Sequence, residues 1–183
     1  MPRYVAFLRA INVGGHTVTM DQLREAFEAV GLKEVETFIA SGNVIFSSSS
    51  KDPSALERKI EKRLAADLGY EVKTFLRTTA EVCAIARYEP FEKAHLKAAY
   101  ALNVGFLADP LEAAGVKLLN GFSTDIDAFH ANGREMYWLC RKRQSESRFS
   151  GGKLEKALKL ASTWRNVNTI VRLAAKYPEH AGA

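Results

Sequence analysis

At 183 residues the chain is long enough for one domain with a good core, or for two small ones of about 90 residues each. Apolar residues make up 47% and charged residues 26%, ordinary for a soluble globular protein, and no apolar run approaches the ~20 residues that span a bilayer. The net charge of +5 is unevenly placed: residues 1–140 carry −2 and residues 141–183 carry +7.

Such asymmetry fits either an anionic partner such as nucleic acid or a solvated basic face that aids solubility. Arg9 and Asn12 interrupt the N-terminal apolar run too early for a signal peptide. Cys83 and Cys140 are far apart, and His16, His95, His130 and His180 form no ligand-type cluster. A reduced, cytoplasmic protein is expected, with no structural metal, no cofactor and no membrane partner. Oligomeric state is left open.

An alternating strand, Tyr4 to Ala10, runs into a polar turn with two glycines. A first helix begins near Thr19, with Gln22 three residues on as a capping box; Leu23, Ala26, Phe27 and Val30 make its stripe and Gly31 stops it. Two short strands follow, Val35–Ile39 and Asn43–Phe46, joined by Ala40-Ser41-Gly42. Asp52-Pro53 opens a second helix, striped by Leu56, Ile60, Leu64 and Leu68 and ended by Gly69, before a strand over Glu71–Arg77. The order is β-α-β-β-α-β, the ferredoxin-like arrangement. The right-handed crossover rule then places the third strand between the first two. The turn after strand one should therefore lie beside Ser41-Gly42-Asn43.

Thr78 and Glu81 make another capping box, opening a connecting helix that Pro90 breaks. A second half begins near Lys97 with strand Ala99–Phe106 and a short helix after Asp109-Pro110. Strands Thr124–Ala131 and Arg134–Cys140 flank Asn132-Gly133, a two-residue hairpin signal. A basic, Ser/Gly-rich and mobile loop is expected over 141–152, then a helix through Leu154, Ala157, Leu158 and Ala161, and a last helix from about Asn166 to Tyr177. No fourth strand is evident in this half. The expected fold is thus α+β: a ferredoxin-like subdomain over 1–78, a connecting helix over 79–96, and an incomplete ferredoxin-like half with extra helices over 97–183.

Two clusters could hold an anion. The first is the corner of Arg9, Asn12, Gly14, Gly15, Ser41 and Asn43, where consecutive amides in a glycine turn form a donor concavity. The plainer account is that the glycines supply positive φ and the asparagines bond turn backbone. The second cluster is Arg165, Asn166 and Thr169, read as the start of the last helix; there the plainer account is an Asn166 cap and an Arg165 surface ion pair. Ser150-Gly151-Gly152-Lys153 lacks the strand and spacing of a phosphate loop. The topology is also that of single-stranded RNA readers, but strand three carries no aromatic reading motif, so Phe7 and Phe46 are expected in the core. No nucleophile elbow or His-Glu-x-x-His motif is present. Asp125 and Asp127 share a face and read as solvated charges, and Cys83 as buried filler.

Taken together, Arg9 through Gly15, Ser41 through Phe46, Arg77-Thr78 and Arg165 through Thr169 resemble an uncharacterised bacterial family, the domain-of-unknown-function family numbered 1697. The resemblance covers nearly the whole chain and implies two ferredoxin-like halves, with no established activity. In that family a threonine usually stands two residues before the Arg-Asn pair and a tryptophan often follows it; here Thr163 keeps its place, but Trp164 precedes the pair and Val167 follows. The expected function is non-catalytic binding of a phosphate-bearing ligand, either nucleotide or nucleic acid. A small-molecule enzyme using the same corner, with His16 or Asn12 participating, and a structural protein without a ligand site are the alternatives.

Overall fold

A computed structural model describes residues 1–12, 14–39 and 42–179. By contact the chain divides into two compact units, Met1–Ala84 with Leu173–Ala183, and Ile85–Arg172. The second unit therefore takes in part of the connecting helix, and the chain after Arg172 goes with the first.

The first unit is built from β1 (Arg3–Leu8), α1 (Met20–Ala29), β2 (Lys33–Thr37), β3 (Asn43–Ser47), α2 (Pro53–Leu68) and β4 (Thr74–Thr78), followed by α3 (Thr79–Arg87). Its sheet has the order β2-β3-β1-β4, with β1 antiparallel to both β3 and β4. The third strand is inserted between the first two, as the crossover rule requires. The strands end earlier than alternation suggested: Ala10 and Ile39 both take positive φ, which takes the backbone out of the pleat.

Local signals explain the helices. Gln22 N donates to Thr19 Oγ1 and Thr19 N to Gln22 Oε1, so the capping box closes in both directions. Asp52 caps α2 by accepting from Ala55 N, and Gly69 ends it in the left-handed conformation. The helices bury one sheet face: Tyr4, Ala6, Leu8, Val44, Phe46 and Leu76 meet Leu23, Phe27, Ile60 and Leu64. The face away from them is also buried, with Val5, Phe7, Ile45, Phe75 and Arg77 no more than 1% exposed. Phe7 and Phe46 are thus core residues, as expected, and neither offers a base-stacking surface.

The β4 edge of the sheet is covered by side chains of α2. Thr74 N donates to Glu61 Oε1 and Leu76 N to Glu57 Oε1, each at 2.9 Å. Two carboxylates four residues apart on α2 thereby cover the outward amides of β4, where another chain could otherwise pair.

The second unit contains α4 (Lys93–Ala98), β5 (Ala101–Phe106), α5 (Ala113–Asn120), β6 (Asp127–Asn132), β7 (Glu135–Cys140), α6 (Gly151–Leu158), β8 (Thr163–Asn166) and the start of α7 (Val167–Lys176). The expectation of an incomplete half is corrected here. Residues Thr163–Asn166 form the fourth strand, pairing with β5, and the sheet order β6-β7-β5-β8 repeats that of the first unit. This strand is four residues long and reads Thr-Trp-Arg-Asn, too short and too polar to register as an alternating pattern. The expected loop over 141–152 is tied to the unit at two points. Ser147 Oγ donates to both oxygens of Asp127 at 2.9 Å, and Phe149 packs among Phe122, Phe129, Trp138 and Trp164.

Candidate functional site

In the first unit, the end of β1 and the turn before β3 do meet. Leu8 N donates to Gly42 O at 2.9 Å. Gly42 has φ +78°, and a Cβ there would lie 2.8 Å from Ile11 Cγ2 and 3.2 Å from Leu8 Cβ. Only glycine fits that contact. Ser41 and Val13 lie outside the described residues.

The asparagines follow the plainer account. Asn12 Oδ1 accepts from Val18 N and Asn43 Nδ2 donates to Phe38 O, both at 2.9 Å. Asn43 is buried and braces the β2–β3 turn, whereas Asn12 is exposed and braces the turn after β1. Tyr70 OH donates to Ile11 O at 2.8 Å, and the His16 ring lies 4.2 Å from the Tyr70 ring. The turn is thus tied at both ends, leaving Gly14 (φ +63°) and Gly15 (φ +83°) exposed at its tip. Among the described residues no hydrogen bond takes up the N–H of Gly14 or Gly15. Arg9, half-buried, sits at the root of the turn, its N–H donating to Lys73 O at 2.9 Å. The start of α1 is occupied by its own capping box, so the donors at this corner are glycine amides. Tyr70 was missed in the sequence because nothing local links residue 70 to residue 11.

The second cluster spans the end of β8 and the start of α7. Arg165 and Asn166 are the last residues of β8, so their side chains leave opposite faces of the sheet. Arg165 stands across from Val104 and is 9% exposed; its Nη1 donates to Thr163 Oγ1 and Trp164 O, both at 2.9 Å. Burial lowers its pKa to about 10. Asn166 is exposed and accepts from Asn168 N at 2.9 Å, which caps α7 as expected; Thr169 is half-buried on that helix. The expected surface position of Arg165 is corrected: its guanidinium is buried and bonded to its own strand.

Arg165, Asn166 and Thr169 thus belong to the second unit, and Arg9, Asn12, Gly14, Gly15 and Asn43 to the first. A model of the family described as "protein of unknown function (DUF1697)" matches residues 1–137. The chain belongs to DUF1697. Among curated proteins none matches this DUF1697 chain. Among solved structures, it is similar to the conserved bacterial protein SP0830 from Streptococcus pneumoniae, at 22% identity and a TM-score of 0.76, over 98% of this chain and 99% of that one. At that identity the likeness concerns the fold.

Two features of this DUF1697 chain escaped the sequence reading. Arg77 on β4 is 1% exposed, stands across from Val5, and donates from Nη1 to Leu76 O at 2.8 Å. The repeat of an arginine next to the end of the closing strand in each half was the available signal. Asp127, expected to be solvated, is 2% exposed and accepts from Trp138 Nε1 at 2.7 Å and Thr124 Oγ1 at 3.0 Å besides Ser147. No described helix is long and apolar enough to cross a membrane.

Proposed function

We propose that this DUF1697 chain binds the phosphate of a nucleotide or nucleic acid, without catalysing a reaction, at the Gly14–Gly15 turn of its first unit. What supports the reading is a single arrangement: two adjacent exposed glycines in positive φ, with amides open to solvent, on a turn held by Asn12 and Tyr70 and rooted at Arg9. Consecutive amides of this kind make a concavity that attracts anions, and Arg9 at the root of the turn would add positive charge. The basic residues after Arg141 would raise the local concentration of an anionic ligand.

The experiment is a thermal-unfolding series with pyrophosphate, nucleoside mono-, di- and triphosphates, and a short single-stranded oligonucleotide. A ligand held at about 100 times its Kd stabilises by about 2.7 kcal/mol. Arg9→Ala and Gly15→Ala should abolish that shift. Oligonucleotide binding should also weaken steeply with salt. No shift with any of these ligands, or an unchanged shift in both variants, overturns the proposal.

A further inference from the structure

A cavity of about 420 Å³ opens in the second unit where the basic segment after β7 folds back on the start of β6. That volume lies within the ~300–1,000 Å³ usual for small-molecule sites. It is lined by Thr124, Asp125, Ile126 and Asp127 from the start of β6 and by Lys142, Glu146 and Arg148 from the basic segment. The walls are ordered by the Asp127–Ser147 bonds and by Arg143 N, which donates to Glu146 Oε2 at 3.1 Å.

Both signs of charge face this one space, yet they are not spent on each other. Among the described residues, Asp125, Lys142 and Arg148 form no ion pair. Asp127 is buried at the cavity wall, and the donors that reach it, Trp138 Nε1, Ser147 Oγ and Thr124 Oγ1, are all neutral. Neutral donors satisfy its lone pairs but leave its negative charge in place, in surroundings where a charge acts strongly. A simple anion entering here would meet three carboxylates, and a simple cation would meet Lys142 and Arg148. A small molecule carrying both signs can set each of its charges against an opposite one in the same lining.

We propose that this cavity is a binding site for a free amino acid, its ammonium group toward Asp125, Asp127 and Glu146 and its carboxylate toward Lys142 and Arg148. The site is separate from the glycine turn and does not depend on it. Size agrees with the assignment, since the space takes an amino acid with a side chain of moderate length and leaves no room for a folded partner.

Trp138 reports on the site directly, because its indole N–H is bonded to Asp127 and the chain has only two tryptophans. The full chain is titrated with each standard free amino acid, following tryptophan emission and binding heat. At least one should bind saturably. Its N-acetyl derivative, which lacks the cation, and its carboxamide, which lacks the anion, should each bind at least about tenfold more weakly. Asp125→Asn and Arg148→Ala, both exposed positions, should weaken the free amino acid by a similar factor while leaving the unfolding curve unchanged. Saturable binding by none of the amino acids overturns the proposal. So does equal binding of the blocked derivatives, or parental affinity in both variants.

Discussion

Arg77 and Arg165 occupy the same place in two separate sheets. Each stands on the closing strand across from a valine of an inner strand, Val5 and Val104, on the face turned away from α1 and α2 in the first unit and from α5 and α6 in the second. Each returns an Nη1 proton to the carbonyl of the residue before it, Leu76 or Trp164. A guanidinium can be buried this way because its planar fork offers five donors, and several must be met at once.

Removing either arginine leaves backbone and side-chain acceptors unmet inside the protein. Arg77→Ala and Arg165→Ala are each expected to lower stability by about 2–4 kcal/mol in denaturant unfolding. Lysine should restore little, since one ammonium cannot reproduce the fork. A loss within the ~0.5 kcal/mol typical of surface sites would show that these arginines are ornamental to the fold.

Gly42 and Gly15 both have positive φ, but only Gly42 is enclosed. Gly42→Ala adds a steric clash with Ile11 and Leu8 to the backbone strain, whereas Gly15→Ala meets nothing within 4 Å. The first should cost about 2 kcal/mol or more and the second about 1 kcal/mol. Equal losses in the two variants would contradict the close approach of the β2–β3 turn to the end of β1.

Glu36 accepts from Tyr177 OH at 2.7 Å and is ion-paired to Arg3 at 2.5 Å and to Lys176 at 3.4 Å, tying the end of α7 to β2. The Tyr177 hydrogen bond, aided by Lys176 and Arg3, holds the Glu36 carboxyl below its ordinary value of 4.5. A lowered folded-state pKa means this stability is present above about pH 4.5 and is lost as pH falls through the lowered value. On the alkaline side, burial raises the Tyr177 phenol above 10.0, so its contribution is present below pH 10.0 and fades as pH rises through the raised value. The Glu36 carboxylate is 42% exposed, so solvent limits the acid-side effect to under about 1 kcal/mol. Glu36→Gln should flatten the acid limb of a stability–pH profile; an unchanged limb would mean that other carboxylates dominate it.

Asp127 holds the basic segment through Ser147, and its loss would also strand the Trp138 indole N–H. Asp127→Ala should cost about 2–3 kcal/mol and speed trypsin cleavage at Arg141, Lys142, Arg143 and Arg148. Ser147→Ala, which keeps the Trp138 bond, should speed cleavage at a smaller cost in stability. Parental cleavage rates in both would show that the segment is held by Phe149 alone.

Edge closure by Glu57 and Glu61 can be tested in the same way. The double variant Glu57→Ala/Glu61→Ala should lose about 1–3 kcal/mol and gain a tendency to self-associate, because two β4 amides become available to another strand. Sedimentation at increasing concentration reads the second effect.

The linear order of residues determined the first unit almost in full. Thr19, Gln22, Asp52, Gly69 and the leucine stripes act within a few positions of themselves, and the short β-α-β-β-α-β connections leave one handed way to close a sheet. Chain topology alone implied that Gly42 lies beside the end of β1. Tertiary structure alone decided what β8, Arg165 and Asp127 are. A four-residue strand has no pattern of its own and exists because β5 offers it a ladder, and that ladder sends Arg165 and Asn166 to opposite faces. Asp127 is buried because Ser147, twenty residues later, returns to meet it. Charge and polarity are properties of a residue, but burial is a property of its neighbours, and those neighbours are chosen only when distant parts of the chain close on one another.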